Sequence, residues 1–305
     1  MRIGPLRFIL SIVVAVMAGF GSAQAEDRLN IVATFSILGD FAKNVGGDRV
    51  NVTMLVGADS DTHVYTPSPA DAKKITDAKL VIVNGLGLEG WLPRLVKSSG
   101  GKAVTVVATK GIKPRKVAAG EALSEEHEVG SADPHAWQSV GNAKVYVANI
   151  RDALVAADPA NGDAYKANAA AYLSKLDALD GEVRVAVASI PPERRSVIST
   201  HDAFGYFAAA YGVKFVAPQG VSTESEPSAR DIAAIIIQIR KQKIPAVFLE
   251  NVTDPRLMQR IAAETGAKVG GTLYSDSLTG EKGPAPTYID MVRHNIKALT
   301  SALSN

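Results

Sequence analysis

Short apolar runs rich in β-branched residues alternate with helical patterns along this chain, in two separate sets. The first set is LNIVATF (29–35), VNVTMLV (50–56), KLVIVNG (79–85) and KAVTVVA (102–108). Each reads as a strand, because β-branched side chains pack well on a pleated, half-buried surface. Between them lie PADAKKITDA (69–78), with Ser68 placed to cap it, and WLPRLVKSS (91–99). The second set is RSVIST (195–200), VKFVAP (213–218), AVFLEN (246–251) and AKVGGTLYS (267–275). Its helical partners are AFGYFAAAYG, SARDIAAIIIQIRKQK, DPRLMQRIAAETG and TYIDMVRHNIKALTSAL. Strands alternating with helices imply βαβ crossovers and parallel sheets. Two such sets predict two α/β lobes, each a parallel sheet flanked by helices. LPRLVKSSGGKAV and DPRLMQRIAAETGAKV echo each other faintly, each a helix turning through glycine and lysine into a strand.

The segment between the sets is of another kind. Asp158 is placed to cap a helix with Pro159 at its first position, and the pattern runs to Ile190 before Pro191-Pro192 stops it. Tyr165, Ala169, Tyr172, Leu173, Leu176, Leu179, Val183 and Val187 fall on one face at helical spacing. At about 1.5 Å per residue this is a rod of roughly 45 Å, a rigid spine joining the lobes. Flexible linkers are richer in Gly and Ser. The predicted organisation is a leader at 1–25, an N-terminal lobe at 26–157, a linking helix at 158–190 and a C-terminal lobe at 191–305.

The leader is an export address. Arg2 and Arg7 precede the apolar stretch FILSIVVAVMAGF, and Ala23-Gln24-Ala25 supplies a small-x-small cleavage pattern. Cleavage after Ala25 predicts a periplasmic protein with no stable membrane insertion, since no other apolar run is long enough to span a bilayer. The chain has no cysteine, so thiolate metal sites, cysteine nucleophiles, disulfides and a cysteine-borne lipid anchor are all excluded as expectations. Losing Arg2 and Arg7 brings 33 basic residues level with the 31 acidic ones, which argues against a nucleic-acid partner.

Five histidines remain as candidate chemistry. His63 follows the second strand, His135 precedes the helix NAKVYVANIRDALVAA, and His201 stands at a strand-to-helix junction. Asp276 follows the last strand. Ligands of open α/β sheets bind outside the carboxyl ends of strands, and two lobes can set such ends face to face. Three imidazoles and a carboxylate suit a borderline divalent cation such as zinc, held by four ligands. Helix N-termini beyond His135 and His201 would keep those rings neutral, as coordination requires. Acids holding the other ring nitrogens are expected, and Asp61, Asp133, Asp202 and Glu250 are the nearest candidates by position. The bland readings are equally concrete. A single loop histidine is usually solvated, Asp202 fits as an N-cap for a helix starting at Ala203, and Asp276 fits a turn with its serine neighbours. The separations match no local metal motif, so the residues alone leave both readings open. His127 lies in an acidic loop and His294 on the surface of the last helix.

Taken in order, HVYTPSP (63–69), NGLGLEGWL (84–92), DPHAW (133–137), the segment 158–180, STHDAFGYFAAAYG (199–212), EPSARDI (226–232) and YSDSL (274–278) resemble the periplasmic metal-binding proteins of ABC-type zinc and manganese uptake transporters. The resemblance covers nearly the whole chain after the leader. It implies two lobes of parallel sheet joined by a long helix, one metal between them, and a membrane permease as partner. Carried over residue by residue, it implies His63, His135, His201 and Asp276 as ligands. Manganese-type members are similar but usually place glutamate where this chain has His201, and imidazole-rich sites suit zinc. Many zinc-type members carry a histidine-rich loop between the first two ligands; this chain departs from them, with only His127 there among acids.

The expectation is a monomeric binding protein that captures Zn2+, with Mn2+ or Fe2+ as the alternative cargo, and delivers it to the permease. A zinc hydrolase with Glu250 or Asp202 as general base needs an open coordination position, which four protein ligands close. An adhesive role would be secondary without an anchor.

Overall fold

A computed structural model describes residues 28–117 and 130–304. The leader and His127 lie outside the described residues. Among the described residues, eight strands form two sheets, all parallel. The first contains β1 (Leu29–Ala33), β2 (Val50–Met54), β3 (Leu80–Val83) and β4 (Val104–Val107), in the order β2-β1-β3-β4. The second contains β5 (Ser196–Ile198), β6 (Lys214–Val216), β7 (Ala246–Glu250) and β8 (Lys268–Leu273), in the order β6-β5-β7-β8. The two orders are the same, so the lobes share one topology. The helices are α1 (Ser36–Gly46), α2 (Pro69–Asp77), α3 (Leu92–Ser99), α4 (Val140–Ala157), α5 (Gly162–Ala188), α6 (Gly205–Tyr211), α7 (Ala229–Gln242), α8 (Arg256–Thr265) and α9 (Tyr288–Leu303).

The correspondence extends to the helix ends. Ser68 and Ser228 each begin a helix whose third residue, Asp71 or Asp231, accepts the serine backbone N–H at 2.8 and 2.9 Å. Helices α3 and α8 each end on a glycine in the left-handed region, Gly100 (φ 58) and Gly266 (φ 75). A side chain there would strain the turn that sends the chain into β4 or β8. The faint sequence echo is therefore the last helix–strand unit of each lobe.

Alternation along the strands sorts their side chains between two layers. Ile31, Ala33, Leu80 and Ile82, with Val197, Ala246 and Phe248 of the second sheet, face one large core shared with α1, α4, α5 and α9. On the opposite faces, Val32, Val81 and Val83 pack with α2 and α3, while Ile198 and Val247 pack with α7 and α8. The spine α5 packs on α1, α4 and α9. Its inward face carries Tyr165, Ala169, Tyr172, Leu176, Leu179, Val183 and Val187, all buried. Each large apolar chain there stabilises the fold by about 1.5–3 kcal/mol.

Four expectations need correcting. The spine opens with a 3-10 turn at Pro159–Asn161, and its α-helix has 27 residues. The Asp158 carboxylate accepts the Tyr165 hydroxyl at 2.6 Å and the Asn161 amide at 2.9 Å instead of capping the backbone. Leu173 is only partly buried at the edge of the core. His294 is half-buried, its ring 4.9 Å from that of Tyr274 and its Nε2 3.1 Å from the Thr272 carbonyl.

Candidate metal centre

Each candidate donor stands just past a strand or loop end, held by backbone bonds close to its own Cα. His63 follows β2, and Asp61 Oδ1 accepts its backbone N–H at 2.8 Å. Trp91 Nε1 donates to the Thr62 carbonyl at 2.9 Å and fixes the same loop. His135 follows Pro134, whose carbonyl accepts Asn84 Nδ2 at 2.9 Å. Asn84 is set in turn by the Tyr146 hydroxyl at 2.5 Å. His201 follows β5 and lies beside the end of β7, where Glu250 Oε1 accepts the backbone N–H groups of Thr200 (2.7 Å) and His201 (3.1 Å). Asp276 follows β8, between Ser275 and Ser277.

From four distant places in the chain, the fold brings His63, His135, His201 and Asp276 together, each with one donor atom within 4.8 Å of the others. His63 Nε2 is 3.3 Å from His135 Nε2 and 3.3 Å from Asp276 Oδ2. His201 Nε2 is 3.1 Å from Asp276 Oδ2, and His135 Nε2 is 3.5 Å from Asp276 Oδ1. All four are buried. His63 is 7% exposed and the others 0–1%, so the centre faces solvent on the His63 side.

Two of the four acids named from sequence hold ring nitrogens. Asp133 Oδ1 lies 2.9 Å from His135 Nδ1, and Glu250 Oε2 lies 2.6 Å from His201 Nδ1. An acceptor at Nδ1 fixes the tautomer whose lone pair is on Nε2, directed at the other donors. Arg115 Nη1 contacts Asp133 Oδ2 at 3.2 Å. A Cβ on Gly205 would lie 2.4 Å from that guanidinium, so the first residue of α6 leaves it room. Arg115 carries no motif that sequence reading would recognise.

The other two acids do different work. Asp61 caps the His63 backbone and accepts the Thr223 hydroxyl at 2.6 Å. Asp202 is not an N-cap, because α6 begins at Gly205 with Phe204 before it. The expected electrostatic effect of helix N-termini is also overturned. A 3-10 turn follows His135, α4 starts only at Val140, and carboxylates dominate both rings. Burial by itself disfavours a charged imidazole, but Asp276 and Asp133 overcome it and raise the His135 pKa to about 9. At His201 burial is likewise outweighed, by Glu250 and Asp276, and the pKa stands well above 6.5. Burial would raise Asp276, yet His201 and His135 carry it well below the usual carboxylate range.

Comparison with known proteins follows the same outline. The family model described as ZnuA, zinc-uptake complex component A, periplasmic, matches residues 31–302. The iron-binding protein YfeA of Yersinia pestis is 37% identical over 286 residues, covering 93% of this chain and 89% of that protein. The manganese-binding lipoprotein MntA of Halalkalibacterium halodurans is 35% identical, covering 97% of each. Among solved structures, the manganese-bound periplasmic metal-binding protein of Candidatus Liberibacter asiaticus has a TM-score of 0.80 at 33% identity, covering 90% of this chain and 100% of that one. The periplasmic zinc-binding protein TroA of Treponema pallidum has a TM-score of 0.82 at 30% identity, covering 91% and 100%.

Proposed function

The chain belongs to the family of periplasmic zinc-uptake components, metal-binding substrate-binding proteins of ABC transporters and not enzymes, and from that membership we propose that its cargo is Zn2+. His63, His135, His201 and Asp276 hold the ion between the lobes, and the protein, a monomer, hands it to a membrane permease. The same reading assigns residues 1–25 to a leader cleaved after Ala25, 26–157 and 191–305 to the lobes, and 158–190 to the link.

One observation carries the proposal: the spacing of the four donors. Four ligands at about 2.0–2.1 Å from a tetrahedral zinc stand about 3.3 Å from one another. Four of the separations, 3.1, 3.3, 3.3 and 3.5 Å, two to Asp276 Oδ2 and one to Oδ1, bracket that value, and one donor atom from each residue lies within 4.8 Å of the rest. Charge supports the same reading. With neutral rings, Asp276, Asp133 and Glu250 against Arg115 leave a net charge of minus two, which offsets a dication. Three imidazoles against one carboxylate suit zinc better than manganese, which takes more oxygen ligands.

Manganese or ferrous iron is the second reading, favoured by the names of the relatives in Halalkalibacterium and Yersinia. Purified protein, stripped and reloaded at matched free zinc and manganese, is expected to retain about one zinc per chain. Preferential retention of manganese or iron overturns the choice of metal. Failure to bind any of them overturns the assignment of the four donors.

A further inference from the structure

Three side chains outside the donor set link one donor to another across the mouth of the cleft. Asp61, in the N-terminal lobe, bonds the His63 backbone through Oδ1 at 2.8 Å. Its Oδ2 accepts the hydroxyl of Thr223 at 2.6 Å, from the loop between β6 and α7 in the opposite lobe. Gln219 anchors that loop, its Nε2 donating to the carbonyls of Thr223 (3.2 Å) and Ser225 (2.8 Å). The Gln219 backbone N–H donates to the Thr200 carbonyl at 3.3 Å, and Gln219 pairs with His201 in an isolated parallel bridge. A continuous strap therefore runs from His63 through Asp61, Thr223 and Gln219 to His201.

Its position is as telling as its continuity. A cavity of about 710 Å³ lies against it, with Asp61, Val64, Thr200, Gln219 and Thr223 in its wall. Asp61 and Val64, which flank His63 in the chain, both belong to that wall, and His63 is the donor with the most exposure. An aspartate bonded only to the backbone two residues on is an ordinary turn within one lobe. The bond to Thr223 is different, since it joins the lobes and exists only while they are together. A charged acceptor also makes it stronger than a neutral hydrogen bond.

Building on the donor assignment proposed above, we infer that Asp61, Thr223 and Gln219 are positioning residues for metal retention. They fasten the mouth and hold His63 and His201 at the separation the ion needs. An interaction made only in the closed state acts on metal release and leaves capture nearly untouched.

Thr223→Val removes the hydroxyl at almost constant volume, and Thr223→Ser restores it. Zinc release from the full chain into excess chelator, followed by stopped flow, is expected to be about 10-fold faster in Thr223→Val, the equivalent of one charged hydrogen bond. Thr223→Ser should return to the wild-type rate. Association rates and the metal-free unfolding midpoint should match wild type in both. Gln219→Met, which frees the loop from the other end, should speed release in the same direction. Wild-type release rates in both Thr223→Val and Gln219→Met, with one zinc bound, overturn the strap alone. A wild-type protein that binds no zinc overturns the donor assignment instead.

Discussion

His201 and Asp276 follow two strands of one sheet, yet their turns are fastened to different halves of the molecule. Around His201, the backbone N–H groups of Thr200 and His201 go to Glu250, Ser199 bonds Val216, and Asp202 bonds Gly220, all within the C-terminal lobe. Around Asp276, the partners lie across the cleft. The Ser275 carbonyl accepts Trp137 Nε1 at 2.9 Å and Gln138 Nε2 at 2.7 Å. Ser36 Oγ accepts the Leu278 N–H at 2.9 Å, and the Leu278 carbonyl accepts the Asp59 N–H at 2.9 Å. Lobe membership by sequence thus misstates which donors are held as a set. Asp276 is tied to the platform of His63 and His135, whereas His201 is backed by its own sheet, and its side is joined to theirs by the mouth strap and by the Tyr206 hydroxyl, which donates to the Asp133 carbonyl at 3.1 Å.

Among single substitutions, the largest expected effect comes from the His201 side. Glu250→Gln puts an amide N–H where either the His201 ring or two backbone N–H groups need an acceptor. Zinc affinity should fall about 10- to 100-fold, the usual cost of losing support behind a ligand, in a competition titration with a chromophoric chelator. An unchanged affinity would mean that Glu250 does not set the ring.

Protons test both sides together. Zinc must displace any proton on His135, whose pKa is about 9, and on His201, which is also raised. Affinity should therefore rise with pH up to about 9, roughly 10-fold per unit for each proton displaced. Metal-free stability runs the other way. A raised histidine stabilises the fold fully below its unfolded pKa of about 6.5, and that contribution is lost as pH rises through the folded value. The metal-free melting temperature should fall between pH 6.5 and about 9. A flat profile would place the two rings outside the carboxylates' influence.

The smallest effect lies on the Asp276 side. Gln138→Leu removes one of two donors to the Ser275 carbonyl, leaving Trp137 in place. Denaturant unfolding should show a loss of about 1 kcal/mol, with zinc affinity within a few-fold of wild type. A loss of affinity as large as that of Glu250→Gln would erase the contrast between the two turns.

The strands were legible because β-branched runs keep their period whatever packs on them; that His63, His135, His201 and Asp276 gather in one place was legible from the family resemblance, their separations alone leaving it open. Helix α1 was not legible. Ser36, Ile37, Leu38, Gly39, Phe41 and Ala42 are all buried, so the segment reads as a continuation of the apolar run before it. It also lacks a side-chain cap, following Phe35 directly. Asp158 and Asp202 misled for different reasons: the Asp158 carboxylate meets the nearby side chains of Asn161 and Tyr165, and α6 begins at Gly205, beyond the reach expected of Asp202. Thr223 and Gln219 were invisible because their importance lies in a contact between lobes, which no local pattern records.

Every donor at the centre is a nitrogen or an oxygen, and the chain has no sulfhydryl anywhere. The oxidation steps that turn a coordinating thiolate into sulfenic and then sulfinic acid have no starting point here. On the proposed reading, zinc occupancy in an oxidising compartment is decoupled from the redox chemistry of thiols and answers instead to proton activity and to the contacts between the lobes.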